Sequence, residues 1–387
     1  MPPATGISSN RGTTTGFCHD ETQWNGAILA MGGSIYQSWQ WGELRRGEGW
    51  TPWRVLVENS EGVVGALQIL EWRLSPLPTG VMYAPRPTLQ GLSAWPPLVA
   101  WLKEFMRTRR VIVLRTDPEI LDTDETSKTQ LQALGFSWLR DQEWSAWGNL
   151  PRAWMLIDIR PPTDVIFARM GKEHRRLIRK AETSGCAFDN GTTLEHLADL
   201  YGMLVKSGER QQFTVLRREY FTGFSKTLFK DGRGTVFVAR HNGQPIAAIV
   251  CACFGSSCYY LYGGFDFEYH YLNVNHILHW KAIQWAKFMG CDFYNMIGSG
   301  TRYPPHRDNH GFSLYDFKKG FGADLYYYAG YFDLPGPWPA YSLVRYIEQH
   351  ANARAYSVLK VLKHLVGAQN LSRISRFAEL DSREVGK

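Results

Sequence analysis

Residues 259–269 read YYLYGGFDFEY, and residues 315–335 read YDFKKGFGADLYYYAGYFDLP. The aromatic run 259–262 predicts a strand, because Tyr and branched residues suit a pleated, half-buried surface, and Gly263-Gly264 is placed to end it. A helix should follow: Val274, Leu278, Ala282, Trp285 and Met289 recur at three- and four-residue spacing, and Gly290 is placed to stop it. Residues 292–297 predict another short strand. After a Gly/Pro-rich loop, FKKGFG at 317–322 reads as a helical turn carrying two adjacent lysines between aromatics.

Upstream of this stretch the pattern is a three-strand meander. Runs at 235–240, 245–254 and 258–262 are separated by Asn242-Gly243 and Gly255-Ser256-Ser257, both turn signals. Helical periodicity covers 163–182, 194–204 and 218–228, and a further strand is expected at 154–157. Helices, an antiparallel meander, a helix and a strand make the order of an acetyltransferase-like (GNAT) module.

The first half repeats that order loosely. A helix is expected at 38–46 with Ser38 as N-cap, then a hairpin of 53–57 and 63–71 turning at 58–62, and a strand at 81–84. Leu98, Trp101, Leu102 and Phe105 line one face of a helix at 96–107, and 111–114 is a branched run typical of a buried strand. The expected fold is therefore α/β (α+β), with two such modules, each a mixed sheet flanked by helices.

Length supports two cores, since 387 residues exceed the roughly 250–300 at which single cores stop growing. Residues 1–27 read as a disordered N-terminus, poor in apolar side chains. The first domain is expected at 28–150 plus 323–366, the second at 151–322 after a linker around 144–151, and 367–387 as a loose tail.

A net charge of +7 allows an anionic partner: a nucleic acid, a nucleotide-sugar diphosphate, or a membrane surface bound peripherally. A solubilising surface explains it equally well. The six cysteines lack paired metal spacing and fit buried thiols in a reduced compartment. The N-terminus lacks an apolar signal core, and no stretch approaches ~20 uninterrupted apolar residues, so a cytoplasmic protein without a transmembrane segment is expected.

Several motifs carry a resemblance. YLYGG at 260–264, the helix with Asn275, His276, Trp280, Ala282, Ile283, Trp285 and Ala286, and FKKGFG followed by a Tyr-rich strand ending in Asp-Leu-Pro resemble the FemABX family of tRNA-dependent aminoacyl transferases. QSWQWGEL at 37–44, YAPRP at 83–87 and RLIRKA at 176–181 fall in the family's order, so the resemblance spans about residues 30–335. It implies two GNAT-like modules, the final strands and C-terminal helix returning to the first. The long heptad arm of some members is not seen, which implies the form without a coiled-coil arm. It also implies the reaction: an amino acid moves from aminoacyl-tRNA to the stem peptide of a peptidoglycan precursor, either UDP-MurNAc-pentapeptide or its lipid-linked form.

Such a transfer starts from an activated ester, so holding two large substrates in attack geometry supplies much of the rate, about 7–11 kcal/mol. No cofactor or metal is needed, and the H-E-x-x-H, G-x-S-x-G and P-loop patterns are absent from the sequence. The resemblance assigns Lys318 to stabilising the transition-state oxyanion and puts Phe317 beside it. The plainer reading is that Lys318 and Lys319 flank a helix C-terminus.

Tyr260 and Tyr262, two apart on a strand, are expected on one face and in the substrate cleft, unless they are core aromatics. Arg45 stands where the family has a diphosphate-binding lysine, and Tyr83 matches a cleft tyrosine. Arg217 or Arg218, with Tyr220, resembles an Arg and Tyr pair ahead of the meander. The basic face of Arg169, Lys172, Arg175, Arg176 and Arg179 suits the phosphates of a tRNA acceptor stem, or is simply a solvated helix face.

Two other functions share the fold. An acyl-CoA-dependent N-acyltransferase would need a glycine-bearing pyrophosphate loop before the long helix, where this chain has FDFEYHYLNVN. A non-catalytic RNA- or precursor-binding protein is the third reading.

Overall fold

The computed structural model describes residues 12–350 apart from 75–76, 141–149, 212, 214, 302, 310 and 339. The linker residues 144–149 and the tail 367–387 lie outside the described residues.

The chain opens with β1 (Thr14–Phe17), α1 (Glu21–Ala30), α2 (Trp39–Arg46), β2 (Thr51–Asn59), β3 (Gly62–Arg73), β4 (Gly80–Pro85) and β5 (Thr88–Leu89). It continues with α3 (Trp95–Arg109), β6 (Val111–Asp117), α4 (Glu125–Ala133) and β7 (Ser137–Trp138). Next come β8 (Ala153–Asp158), α5 (Thr163–Arg169), α6 (Lys172–Glu182), β9 (Ala187–Gly191), α7 (Leu194–Gln211) and α8 (Arg218–Thr222). The strands β10 (Gly234–His241), β11 (Gln244–Phe254) and β12 (Ser257–Phe265) precede α9 (Val274–Phe288), β13 (Phe293–Gly298), α10 (Phe312–Gly320) and β14 (Asp324–Tyr327). Last are β15 (Phe332–Pro335) and α11 (Ala340–His350).

Two compact units result, one reaching Leu150 and resuming at Ala329, the other Pro151–Tyr328. The first sheet has the order β1-β2-β3-β4-β6-β15-β7, with β5 beside β3; the second has β14-β8-β13-β12-β11-β10-β9. Among the described residues each sheet contains a single parallel pair, β4 with β6 and β12 with β13, and its other pairs are antiparallel. Parallel neighbours need a crossover, and α3 and α9 are those crossovers. The fold is thus mixed α/β with two GNAT-like sheets, as the sequence predicts.

In the first unit α3 sets Trp95, Leu98, Leu102 and Met106 against Met82, Val111 and Leu114 of the sheet. Each fully buried side chain of this kind contributes about 1.5–3 kcal/mol. In the second, α9 buries Val274, Leu278, Ala282 and Ile283 against Ile249, Cys251 and Tyr294. Gly290, at φ 79, takes the left-handed position that ends α9. The longest described helix is α7, at 18 residues, and none among the described residues is long and apolar enough to cross a membrane.

The structure departs from the sequence reading in several places. Order begins before residue 28: β1 pairs with β2, and Trp24 and Ile28, one turn apart on α1, are wholly buried, with the Trp24 indole donating to Gln37 O at 2.7 Å. A few large side chains at helical spacing suffice where the overall apolar content is low. The helix expected at 163–182 is two helices, because Met170 and Gly171 are extended and Gly171 N–H donates to Gly320 O. The helix expected at 218–228 ends at Thr222 and continues only as a 3-10 turn.

The domain boundary also shifts. β14 pairs with β8, so it completes the second sheet, and of the last two strands only β15 returns to the first. Finally, β12 does not stop at Gly263-Gly264 but runs to Phe265. A Cβ on Gly264 would lie 2.3 Å from Met203 O, so this glycine serves the close approach of α7 to the strand.

Candidate functional site

Lys318 lies in the last turn of α10 and is 4% exposed. Its ammonium reaches β13, donating to Met296 O at 2.6 Å and Gly298 O at 2.5 Å. Burial pulls its pKa down to about 7. The neighbouring Lys319 is exposed beside the Tyr315 ring. Of the two adjacent lysines, Lys318 is therefore the one built into the protein, and it is not spent on its own helix's carbonyls.

Phe317 packs into a group of rings. Its centroid is 5.7 Å from His174 of α6, 5.1 Å from His276 and 5.6 Å from His279 of α9, and its carbonyl meets His174 Nε2 at 2.8 Å. Burial holds all three imidazoles below their ordinary range, His276 to about 4 and His279, which also feels Lys318, to about 3. They are neutral at physiological pH. His279 Nδ1 lies 3.0 Å from the Tyr294 hydroxyl. Among the described residues no group of His, Cys, Asp and Glu is placed to hold a metal.

The two strand tyrosines separate. Cys251 pairs with Tyr260 and Val250 with Tyr262, so Leu261 is an extra residue, a β-bulge. Residues opposite one another share a face, and Cys251 and Val250 face opposite ways, so Tyr260 and Tyr262 do too; the expectation of a common face is wrong. Tyr260 joins the α9 side, 4.6 Å from His279, with Lys318 Nζ 5.7 Å from its ring. Tyr262 joins α8, its hydroxyl 3.1 Å from that of Tyr220 and its ring 5.3 Å from Phe221. Tyr220 is buried and Arg217, just before α8, is exposed.

In the first unit Arg45 and Tyr83 both meet Trp50. The Arg45 guanidinium is 5.4 Å from the Trp50 ring, and Tyr83 clusters with Trp50, Leu70 and Trp72. Both are more than nine-tenths buried, and the Tyr83 hydroxyl donates to Asp117 Oδ1 at 3.1 Å. Asp117 also accepts from Arg86 N–H, and Arg86 Nε is 3.7 Å from its second oxygen. Burial nevertheless pushes the Asp117 carboxyl up to about 7. Arg86 holds φ 47, a left-handed backbone position that is uncommon for arginine. Beside it opens a cavity of about 240 Å³ lined in part by Gly33, Ser34, Thr88, Trp95 and Glu119.

The basic face of α5 and α6 divides by role. Arg175 donates to Ala168 O and Met170 O at the end of α5, Arg176 pairs with Glu173, and Arg179 lies over the Phe167 ring. Arg169 and Lys172 are exposed.

Sequence reasoning misses Asp117, His174 and the bend at Ile297. Only the first leaves a trace, the Asp-Pro that ends a buried branched run.

Residues 168–304 match the Acetyltransferase (GNAT) domain family. The chain is 21% identical to the lipid II:glycine glycyltransferase of Staphylococcus haemolyticus, covering 86% of this chain and 95% of that protein, and equally to that of Staphylococcus aureus. Among solved structures it is similar to FemX, with a TM-score of 0.76 at 20% identity over 85% of this chain and 99% of that one. A tandem GNAT protein from the clavulanic acid biosynthesis pathway matches with a TM-score of 0.52 at 12% identity, over 84% of this chain and 99% of that one. The fold is that of a tandem GNAT protein, and the resemblance read from the motifs is borne out.

Proposed function

We propose that this protein, in keeping with its resemblance to the FemABX transferases, moves an amino acid from aminoacyl-tRNA to the stem-peptide amine of a peptidoglycan precursor. The ester to the tRNA's terminal ribose breaks, an amide forms, the amine gives up a proton and the tRNA leaves with its hydroxyl. The observation that carries this reading is similarity along 86% of the chain to proteins named as glycyltransferases acting on lipid II, together with an internal lysine at the family's Phe-Lys position.

On this reading Lys318 is the cation beside the developing oxyanion. A fixed charge in a water-poor site is worth more than the same charge in solvent. The neutral, buried His279 and the half-buried Tyr260 ring border that site. Arg45, Tyr83, Arg217, Tyr220, Tyr260 and Tyr262 are proposed for the precursor, and Arg169, Lys172, Arg175, Arg176 and Arg179 for the tRNA, with Arg169 and Lys172 the most available. The protein then works in the cytoplasm, where charged tRNA is, and meets the membrane only peripherally if the acceptor is lipid-linked.

The GNAT match favours one competitor, an acyl-CoA-dependent acyltransferase. Against it stands the junction between β12 and α9: residues 266–289 contain no glycine, and a 3-10 segment there (Phe267–Leu272) carries Phe267, Tyr269, His270 and Tyr271 instead of a backbone cradle for pyrophosphate. The test is mass spectrometry of UDP-MurNAc-pentapeptide and of its lipid-linked form after incubation with protein and mixed aminoacyl-tRNA. A gain of one amino-acid residue on the stem peptide supports the reading; an unchanged mass for both acceptors rejects it.

A further inference from the structure

Two carbonyls share the Lys318 ammonium, and in a regular strand they could not. Alternate carbonyls of an extended strand point the same way but stand about 6.6–6.8 Å apart. Oxygens that accept from one nitrogen at 2.6 and 2.5 Å can be at most about 5 Å apart. The residue between them, Ile297, closes the distance. It has φ 57, and the register of β13 against β8 slips between Asn295 and Gly298. For a β-branched side chain that backbone is a true outlier, of the kind that persists only when its surroundings enforce it.

The enforcing contact is local. Ile297 N–H donates to Asn295 Oδ1 at 2.8 Å, and Asn295 is buried. The bend also falls where the β12–β13 ladder ends, at the Tyr259–Asn295 pair, so the strands part at this point. An ammonium has three N–H donors. Two are taken by Met296 and Gly298, and the third has no acceptor among the described residues.

We propose that Asn295 is a positioning residue: the backbone bend it holds at position 297 clamps the Lys318 ammonium between two carbonyls and leaves one N–H free to donate to the reaction's oxyanion. The inference rests on the transferase reading above. Among the described residues the titratable groups facing Lys318 are Tyr260 of β12 and His279 of α9, with Tyr294 behind His279, while Asp316, two residues back on α10, is exposed. None of these supplies the two carbonyl contacts, so the clamp is what opposes the loss of the ammonium's proton on burial.

The test compares Asn295→Ala, Asn295→Asp, Ile297→Gly and Lys318→Ala as full-length proteins, following transfer against pH. Activity that needs the ammonium falls as pH rises through its pKa. Asn295→Ala is expected to lower kcat about tenfold with KM for the precursor unchanged, and to move that alkaline fall to lower pH by about one unit. Asn295→Asp, which keeps the acceptor, restores kcat, and its carboxylate holds the alkaline fall at or above the wild-type pH. Ile297→Gly, free to adopt a positive φ, stays within about twofold of wild type. An unmoved alkaline fall in Asn295→Ala, or an equal loss in Ile297→Gly, overturns the clamp while a dead Lys318→Ala leaves the parent reading standing. Full activity in Lys318→Ala overturns the parent reading instead. Independently of activity, the pH at which the unfolding free energies of wild type and Lys318→Met diverge reports the lysine's pKa. It should fall when Asn295→Ala is introduced into both, and an unchanged pH counts against the clamp.

Discussion

The Lys318 ammonium lies 5.7 Å from the centre of the Tyr260 ring, and Tyr260 is the tyrosine of its strand that the Leu261 bulge turns toward α9. The lysine thus reaches the sheet from a helix end, while the ring comes to it from the next strand. Lys318→Ala is expected to lower transfer by about 10²–10³ in kcat, the scale for losing one oxyanion donor. Lys319→Ala, which removes an exposed side chain, should change it less than twofold. Steady-state transfer with circular dichroism on the same samples checks both.

Asp117 gives the first unit a pH dependence. Its folded pKa of about 7 is above the ordinary carboxylate value, so the folded state binds more protons than the unfolded between about pH 4 and 7. Its contribution to stability is therefore best below pH 4 and worsens as pH rises to 7. Three pKa units correspond to at most about 4 kcal/mol. Urea unfolding of wild type and Asp117→Asn should show the variant gaining a few kcal/mol relative to wild type between pH 4 and pH 8; a constant difference would contradict this.

Gly264→Ala should be costly. Its Cβ would meet Met203 O at 2.3 Å, and backbone cannot swing aside as a side chain does. The expected loss is about 1–3 kcal/mol, that of an overpacked core, in thermal or urea unfolding. Gly26→Ala on α1, where nothing lies within 4 Å, is the control and should be neutral or slightly stabilising.

Tyr220 and Tyr262 should behave as a pair. Tyr220→Phe and Tyr262→Phe each remove one hydroxyl of a 3.1 Å contact, and the double variant should cost less than the sum by about 1 kcal/mol. Tyr260→Phe with either should be additive, since the bulge places it on the other face. Coupling between Tyr260 and Tyr262 would contradict the register.

Much of this architecture is legible in the sequence, because the meander, both crossover helices and the stop of α9 at Gly290 use residues with strong local preferences. Ser38 caps α2 as its position suggests, accepting from Trp41 N–H, and Asn242-Gly243 turns with both φ values positive. What escapes is not marked by residue preference. The bulge at Leu261 and the bend at Ile297 fall on residues with no preference for them, so periodicity places Tyr260 and Tyr262 together. Trp24 and Ile28 anchor a segment whose composition alone reads as loose. Lys318 is legible as a motif residue, but its burial against two β13 carbonyls depends on a turn twenty residues upstream.

The most direct measurement is transfer of radiolabel to UDP-MurNAc-pentapeptide when aminoacyl-tRNA and acetyl-CoA are each offered as donor, with and without ribonuclease. The account predicts label from aminoacyl-tRNA that ribonuclease abolishes, and none from acetyl-CoA. Ribonuclease-resistant transfer from acetyl-CoA would contradict it.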